Sequence, residues 1–521
     1  MSVGALFSPY GDAPPVSTET EDGLRLLDAL AAIARSEPRN APVVLWISRS
    51  ARLLLRATYT IPSHVTVAFA PGAVFTVGAG AVLNIDGRLE ADSGQHFNLV
   101  GGKVFLRGPL DEICASWWSG VQSGGAPVAH ALSVLWDRYE RALAPAPIVL
   151  GGFYVLEETL RIAPPDSLVQ AFTAPFDVVI RGRHHGRGSP MTFRASSSES
   201  VGALDALVAV DGKVVLTLEN VGFDLTRPDD LPAVRSALLL AGEHDRSRIE
   251  ACSFRLAGGT GVHVTALWDA WREAIGETVT ATAGTVGPFA PLGGAFVTFL
   301  LGAALLASVT GRARRVVIAR SDFEGGGATS VGVRVDVVAP TMLDVSDCQF
   351  RGEYDRGIAF VGSDLMVTDC AFDNAATATA SDPLRAVDIY LGSREPLPDA
   401  VPRLAGANAQ LTATHCVSTS PTFLVGRRVF NPGDSGGAVL TSVLHQPRTT
   451  TPRDVATSVR WIGPCDARNL VLQGCELGAP VRLVDAMTMG IVVELGTRFT
   501  VGLPHYVGGM NPMVNLTTAN R

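Results

Sequence analysis

The sequence predicts an all-β solenoid, a chain wound into stacked coils of short strands. Three observations carry that expectation. First, a short motif recurs: 216–223 (LTLENVGF), 248–254 (RIEACSF), 317–323 (VIARSDF), 344–350 (DVSDCQF) and 366–372 (MVTDCAF), with weaker copies at 411–417 (LTATHCV) and 470–477 (LVLQGCEL). Alternating apolar and polar residues mark a strand, and a two-residue break in the alternation marks a tight corner. Second, the copies align in columns. A small-residue column reads Val221, Cys252, Ser321, Cys348, Cys370, Cys416 and Cys475, and a large one reads Phe223, Phe254, Phe323, Phe350 and Phe372, with Leu477 later. Columns of like residues arise when each coil sits on its neighbour. The 22 residues from Phe350 to Phe372 suit three short strands and three turns. Third, the 521 residues are 47% hydrophobic and only 18% charged, with 54 glycines and 32 prolines. That composition excludes a disordered chain and a long coiled coil.

The elements follow in chain order. Residues 20–35 read as an amphipathic helix with Leu24, Leu27, Leu30 and Ala31 on one stripe, a cap for the open end of the solenoid, within an N-terminal segment 1–42. Residues 43–125 are short strands punctuated by glycine, a small β subdomain, and 126–146 hold a second helix. The main solenoid is expected over 147–500, with a tail at 501–521. Runs at 261–264 (GVHV), 332–335 (GVRV), 357–360 (GIAF), 386–389 (AVDI) and 480–483 (PVRL) read as the first strand of a coil. Long inserts are expected after that strand at 266–314 and 426–465, with a shorter one near 393–408.

The N-terminal third carries a resemblance. It runs through 59–67 (YTIPSHVTV), 71–75 (PGAVF), 95–97 (QHF), the tryptophan pair in 116–120 (SWWSG), a helix and 147–155 (PIVLGGFYV). That order, with the repeats after it, resembles the right-handed parallel β-helix of pectin-lyase-like and phage tailspike-like proteins over roughly residues 40–480. Here Ser119 precedes Gly120, and 124–128 (GGAPV) stands where those proteins carry an acidic pair. The resemblance implies a single-stranded coil and a polysaccharide site on the face of the first sheet, walled by corner loops. It brings no catalytic signature. The Gly-His-Gly and paired-aspartate motifs of polygalacturonases and the aspartate cluster of calcium-dependent pectate lyases are not recognisable, and 183–186 (RHHG) falls at an early corner.

Alternation places His263, Arg334, Asp336, Asp388, Tyr390 and Arg482 on the outward face of the first strands, with Ala359 between them. His263, Arg334, Tyr390 and Arg482 are the candidate substrate-binding residues, and Asp388, Asp336 and Arg334 the candidate catalytic ones. Arginine and histidine suit an acidic sugar through charge-assisted hydrogen bonds. A polar outer row is also what any half-buried sheet presents. Asp347 and Asp369, one coil apart, have the spacing of a glycosidase pair, but aspartate also tolerates a corner backbone, and the turn ladder is the preferred reading. Two further motifs, 412–416 (TATHC) and 433–437 (GDSGG), resemble those of serine proteases. His415 and Ser435 are only 20 positions apart and His415 already fills a corner column, so a serine protease is not expected.

Net charge is −8, and no basic face marks a nucleic-acid partner. Seven cysteines without a C-x-x-C pair argue against a disulfide framework and a zinc site, and no metal or other cofactor is expected. The N-terminus shows no cleavable signal pattern, consistent with cytoplasmic synthesis followed by non-classical export or incorporation into a surface or phage-like assembly. Residues 278–311 carry no charge, and 291–310 are long enough to span a bilayer with Arg312, Arg314 and Arg315 as a positive flank. An apolar lobe against the solenoid or another subunit is preferred there, because a span in mid-solenoid would force the coils against the headgroups. Three functions remain open. One is a protein that binds or cleaves polysaccharide, acting if an enzyme as a lyase or glycoside hydrolase. The second is a non-catalytic structural, adhesin or spike component, with a homo-oligomer as its possible form. The third is a membrane-associated protein acting through 267–311.

Overall fold

The computed structural model describes residues 3–7, 42–47, 52–118, 122–172, 174–183, 192–198, 204–211, 213–228, 234–241, 244, 246–266, 314–337, 341–361, 364–377, 384–391, 410–427, 437–462, 470–484, 492–502 and 506–507. The chain forms two compact units, one of Met1–Ser196 with Glu219–Val221 and one of Ser197–Leu218 with Gly222–Arg521. The expected helix at 20–35, the segment 291–310, Ser435 and His184–His185 lie outside the described residues. Among the described residues no helix is long and apolar enough to cross a membrane.

Between Val43 and Leu106, within the first unit, every 22 or so residues the chain contributes one strand to each of three short parallel sheets. One turn is Val43–Ile47, Arg52–Leu55 and Thr58–Ile61, with Val3–Phe7 paired to the first of them, and the next turn adds Val65–Phe69, Val74–Val77 and Val82–Ile85 in register. The strands of the β subdomain expected over 43–125 are coiled here. Its strands alternate as the sequence requires, with Val43, Leu45 and Ile47 buried and Trp46 exposed. The tryptophan pair forms a short 3-10 turn, Ala115–Trp118, with both rings buried and Trp117 Nε1 donating to the Asp92 carbonyl at 2.7 Å. The helix expected near 126–146 spans Ala126–Glu140, with proline in its first turn. Its buried Arg138 donates to the carbonyls of Leu106 and Gly108, both at 2.9 Å.

The second unit is an all-β parallel solenoid. Each coil supplies a strand to a first sheet, for example Val331–Val337, then to a second, Thr341–Ser346, then to a third, Gln349–Glu353, before Arg356–Val361 returns to the first. All pairings are parallel and in register, as in Thr341–Ser346 against Asp364–Thr368. The corner between second and third sheets is a ladder of single left-handed residues. Ala251, Arg320, Asp347, Asp369, His415, Ser442, Gly474 and Gly496 have φ between 51° and 65°. Each of these except Gly496 has its N–H bonded to a carbonyl of the following coil, as Asp347 N to Thr368 O at 3.0 Å. Asp347 and Asp369 are thus turn residues, and His415 fills the same corner, its Nδ1 3.6 Å from Asp369 Oδ1 with both side chains exposed.

The residue after the corner turns into the core, where a small side chain fits. Cys252, Cys348, Cys370, Cys416 and Cys475 are free and buried, and each thiol donates to a carbonyl of the preceding coil, as Cys475 Sγ to Leu440 O at 3.3 Å. Two positions on, Phe223, Phe254, Phe323, Phe350 and Phe372 stack face to face, with centroids 5.1, 4.8, 4.7 and 4.8 Å apart and planes within 10°. These spacings match the distance between neighbouring strands. The stack explains the glycines that open the first strands. A Cβ at Gly332 would lie 2.7 Å from the Phe350 ring, and one at Gly261 2.9 Å from Phe323.

One expectation fails here. The segment 426–465 is not an insert, because Gly437–Thr441, Leu444–His445 and Thr457–Ile462 add a strand to the second, third and first sheets in turn. The copy is hard to read because Ser442, Val443 and His445 hold its corner, small and large positions, where other coils carry a polar residue, cysteine and phenylalanine.

Truncating a ring in mid-stack removes its partners on both sides. Phe350→Ala should cost about 3–5 kcal/mol, the usual range for a fully buried ring, while Phe350→Leu should cost clearly less. Urea unfolding of the two variants checks this, and an unchanged midpoint for Phe350→Ala would show that the stack is not the stabilising core.

Candidate functional site

The register of the first sheet sets which side chains share its outer face. One column runs Leu239, His263, Arg334, Ala359, Tyr390, Val425, Arg460 and Arg482. Of the residues expected there, His263, Arg334 and Arg482 are in the column and half-buried. Asp336 is on the same strand as Arg334, paired with Thr265 and Val361, and its side chain lies outside the described residues.

Tyr390 is in the column but is not exposed. It is fully buried, with the Arg356 guanidinium 4.0 Å over its ring and Val387, Val425, Leu384 and Ile462 packed around it. Its burial with Val425 splits the row into two polar stretches, His263 with Arg334 and Arg460 with Arg482. The expectation of an insert over 426–465 leaves Arg460 out of the row. The alternating 457–462 (TSVRWI) was the available signal.

Asp388 is the larger correction. It does not lie on the outer face but inside the coils, with no exposed surface. The pairing of Arg356 with Val387 and of Ile358 with Ile389 puts Asp388 level with Gly357, not with Ala359. At this bend two successive residues, Asp388 and Ile389, turn inward, so strict alternation assigns Asp388 to the wrong side. Gly357 faces the Phe372 ring; one coil on, Asp388 faces Ser418, which takes the place of that ring in the column. A glycine and a phenylalanine are exchanged for an aspartate and a serine in the same space.

The exchange opens a polar network in the core. Ser418 Oγ donates to Asp388 Oδ2 at 2.5 Å and Tyr354 Oη to Oδ1 at 2.9 Å. Asn374 Nδ2 donates to the Tyr354 carbonyl at 2.8 Å, and its backbone N–H donates to Ser420 Oγ at 3.1 Å. In the next coil His445 continues the third-sheet column and Phe423 stands opposite it, 6.2 Å between ring centroids. His445 Nε2 is 2.9 Å from the Ser420 carbonyl, which can only accept, so Nε2 carries the proton. Nδ1 is 2.8 Å from Ser458 Oγ, whose hydroxyl donates to the Ala479 carbonyl at 2.7 Å. Burial raises the Asp388 carboxyl to about 7 against the hydrogen bonds from Ser418, Ser420 and Tyr354, and lowers His445 to about 4. A carboxyl enclosed this way serves packing and leaves no face for a substrate.

On the outer face, Arg482 Nε donates to Thr457 Oγ1 at 3.1 Å and its terminal nitrogen to the Asp454 carbonyl at 2.7 Å. Among the described residues no three His, Cys, Asp or Glu side chains converge as a metal ion requires. No family model, no curated protein and no solved structure matches the chain.

The two shifted groups make a signed prediction. Asp388 has a folded pKa raised from 3.8 to about 7, so its contribution is present below pH 4 and lost as pH rises to 7, by up to about 4 kcal/mol. His445 has a folded pKa lowered from 6.5 to about 4, so its contribution is present above pH 6.5 and lost as pH falls to 4. Between pH 4 and 6.5 the two slopes oppose each other and cancel. Asp388→Asn removes one of them. Its stability should rise across that window and exceed the wild type's at pH 8, as read by urea unfolding at each pH. A variant curve parallel to wild type would dissociate Asp388 from the linkage.

Proposed function

We propose that this chain binds an anionic polysaccharide along the outer face of its first sheet. The observation that carries the reading is the register column that places His263, Arg334, Arg460 and Arg482 on one face, all half-buried. Half-burial matters, because a guanidinium at a partly dry surface binds a carboxylate or sulfate ester more strongly than one in bulk water. The strand repeat of about 4.8 Å spaces these groups regularly, which suits an extended chain of like units better than a compact ligand.

Binding is favoured over cleavage by the position of Asp388. The carboxylate nominated for chemistry is enclosed in the core, and Asp336 and Arg334 are the catalytic candidates left on that strand. The same observation favours the second reading, a structural or spike component with no turnover.

A panel of carboxylated, sulfated and neutral glycans tests the proposal. At low salt the protein should bind at least one anionic glycan and release it as ionic strength rises. Arg334→Ala should weaken that binding by about ten- to a hundredfold, the effect of losing one charge-assisted hydrogen bond. If no anionic glycan binds at low salt, the structural reading replaces this one.

A further inference from the structure

Arg460 and Arg482 are register partners on neighbouring strands, Thr457–Ile462 and Val481–Val484. Their Cα atoms therefore stand about 4.8 Å apart. Their side chains leave the sheet side by side, and the charge of Arg482 acts against that of Arg460. Here, among the described residues, neither meets a carboxylate within 4 Å. Arg482 is oriented by neutral groups alone, Thr457 Oγ1 and the Asp454 carbonyl. Arg460 Nε is buried and has no hydrogen-bond partner among the described residues. Burial and the charge of Arg482 both press Arg460 towards losing its proton. The wall beside it is apolar, formed by Val425 and Ile462 over the covered Tyr390. A buried donor without an acceptor is costly, and a cation pair against a low-dielectric wall concentrates positive potential.

We propose that Arg460 and Arg482 form a binding site for one oxyanion, a carboxylate, sulfate or phosphate group bridged between the two guanidiniums. Arg482 is held in place, and Arg460 stands beside it as its register partner. The anion neutralises the repulsion between the two charges. Where the bound group is the acid function of a glycan, the pair is the anchoring point of the polysaccharide face, and that form of the inference rests on the function proposed above. The same chemistry also accepts a free inorganic anion, and the test separates the two sources.

Thermal unfolding of the full chain is followed with sodium sulfate or inorganic phosphate against sodium chloride at matched ionic strength. A general salting effect rises linearly with concentration, whereas a site saturates. The wild-type midpoint should rise saturably, the rise should vanish in Arg460→Gln and Arg482→Gln, and Arg460→Lys should keep part of it. In chloride alone Arg460→Gln should unfold no earlier than wild type, because it removes an unpaired charge. An earlier unfolding there, or equal saturable responses in wild type and Arg460→Gln, would overturn the site. An oligogalacturonate titrated in parallel identifies the source. Binding weakened about tenfold or more by Arg460→Gln places a glycan acid group on the pair. A saturable sulfate response with no oligogalacturonate binding leaves a free-anion site and counts against a carboxylated glycan. Glycan binding weakened by Arg334→Ala but untouched by Arg460→Gln sinks this inference and leaves the polysaccharide face standing.

Discussion

The hydrogen-bonded spacing of parallel strands governs everything else in this molecule. One coil lies on the next at the pitch that backbone N–H and C=O groups impose, about 4.8 Å. Whatever stands at a given place in one coil must fit against its counterpart in the next at that distance. Flat rings can do so, and five phenylalanines stack face to face with centroids 4.7–5.1 Å apart. Isolated aromatic pairs prefer offset or edge-on contacts. Here the backbone pitch, not the ring preference, decides the geometry.

The same pitch makes a local change propagate across the coil. The ring of Phe350 leaves no room for a Cβ at Gly332, so the two positions form one unit of volume. Where Ser418 replaces a ring, the position opposite is no longer glycine, and Asp388 grows into the space. Its carboxyl, the Tyr354 hydroxyl and the two serines satisfy one another. Beyond them Phe423 restores the ring from the first sheet and His445 holds the third. An unsatisfied carboxyl there would cost several kcal/mol, so the exchange is tolerated only because all its partners arrive together.

On the outer surface the pitch has the opposite consequence. Inside, it brings like residues into contact that packs well; outside, it brings Arg460 beside Arg482, where contact repels. A sheet face can hold such a pair when the charges gain something from outside the fold. That contrast separates a ladder that serves the core from one that points to a ligand. It also explains the difference between the two stretches of the row, since Tyr390 and Val425 between them are covered and contribute only an apolar wall.

The sequence by itself determined the coil. Its corner needs one left-handed residue followed by a small one and, two places on, a ring, and those demands recur locally enough to be seen at 248–254, 317–323, 344–350 and 366–372. It determined too that Asp347, Asp369 and His415 are corner residues. It did not determine which way Asp388 faces, because alternation fails at a bend where two successive side chains turn inward, and only pairing with Gly357 and Ser418 reveals that bend. Nor did it reveal the coil of 437–462, whose corner, small and large positions are held by Ser442, Val443 and His445. With that coil went Arg460. Local chemistry fixes what each strand and corner is; which side chains become neighbours depends on register between residues some 22 to 71 positions apart, as Val459 and Val481 or His263 and Arg334 show, and only the stacked structure sets that register.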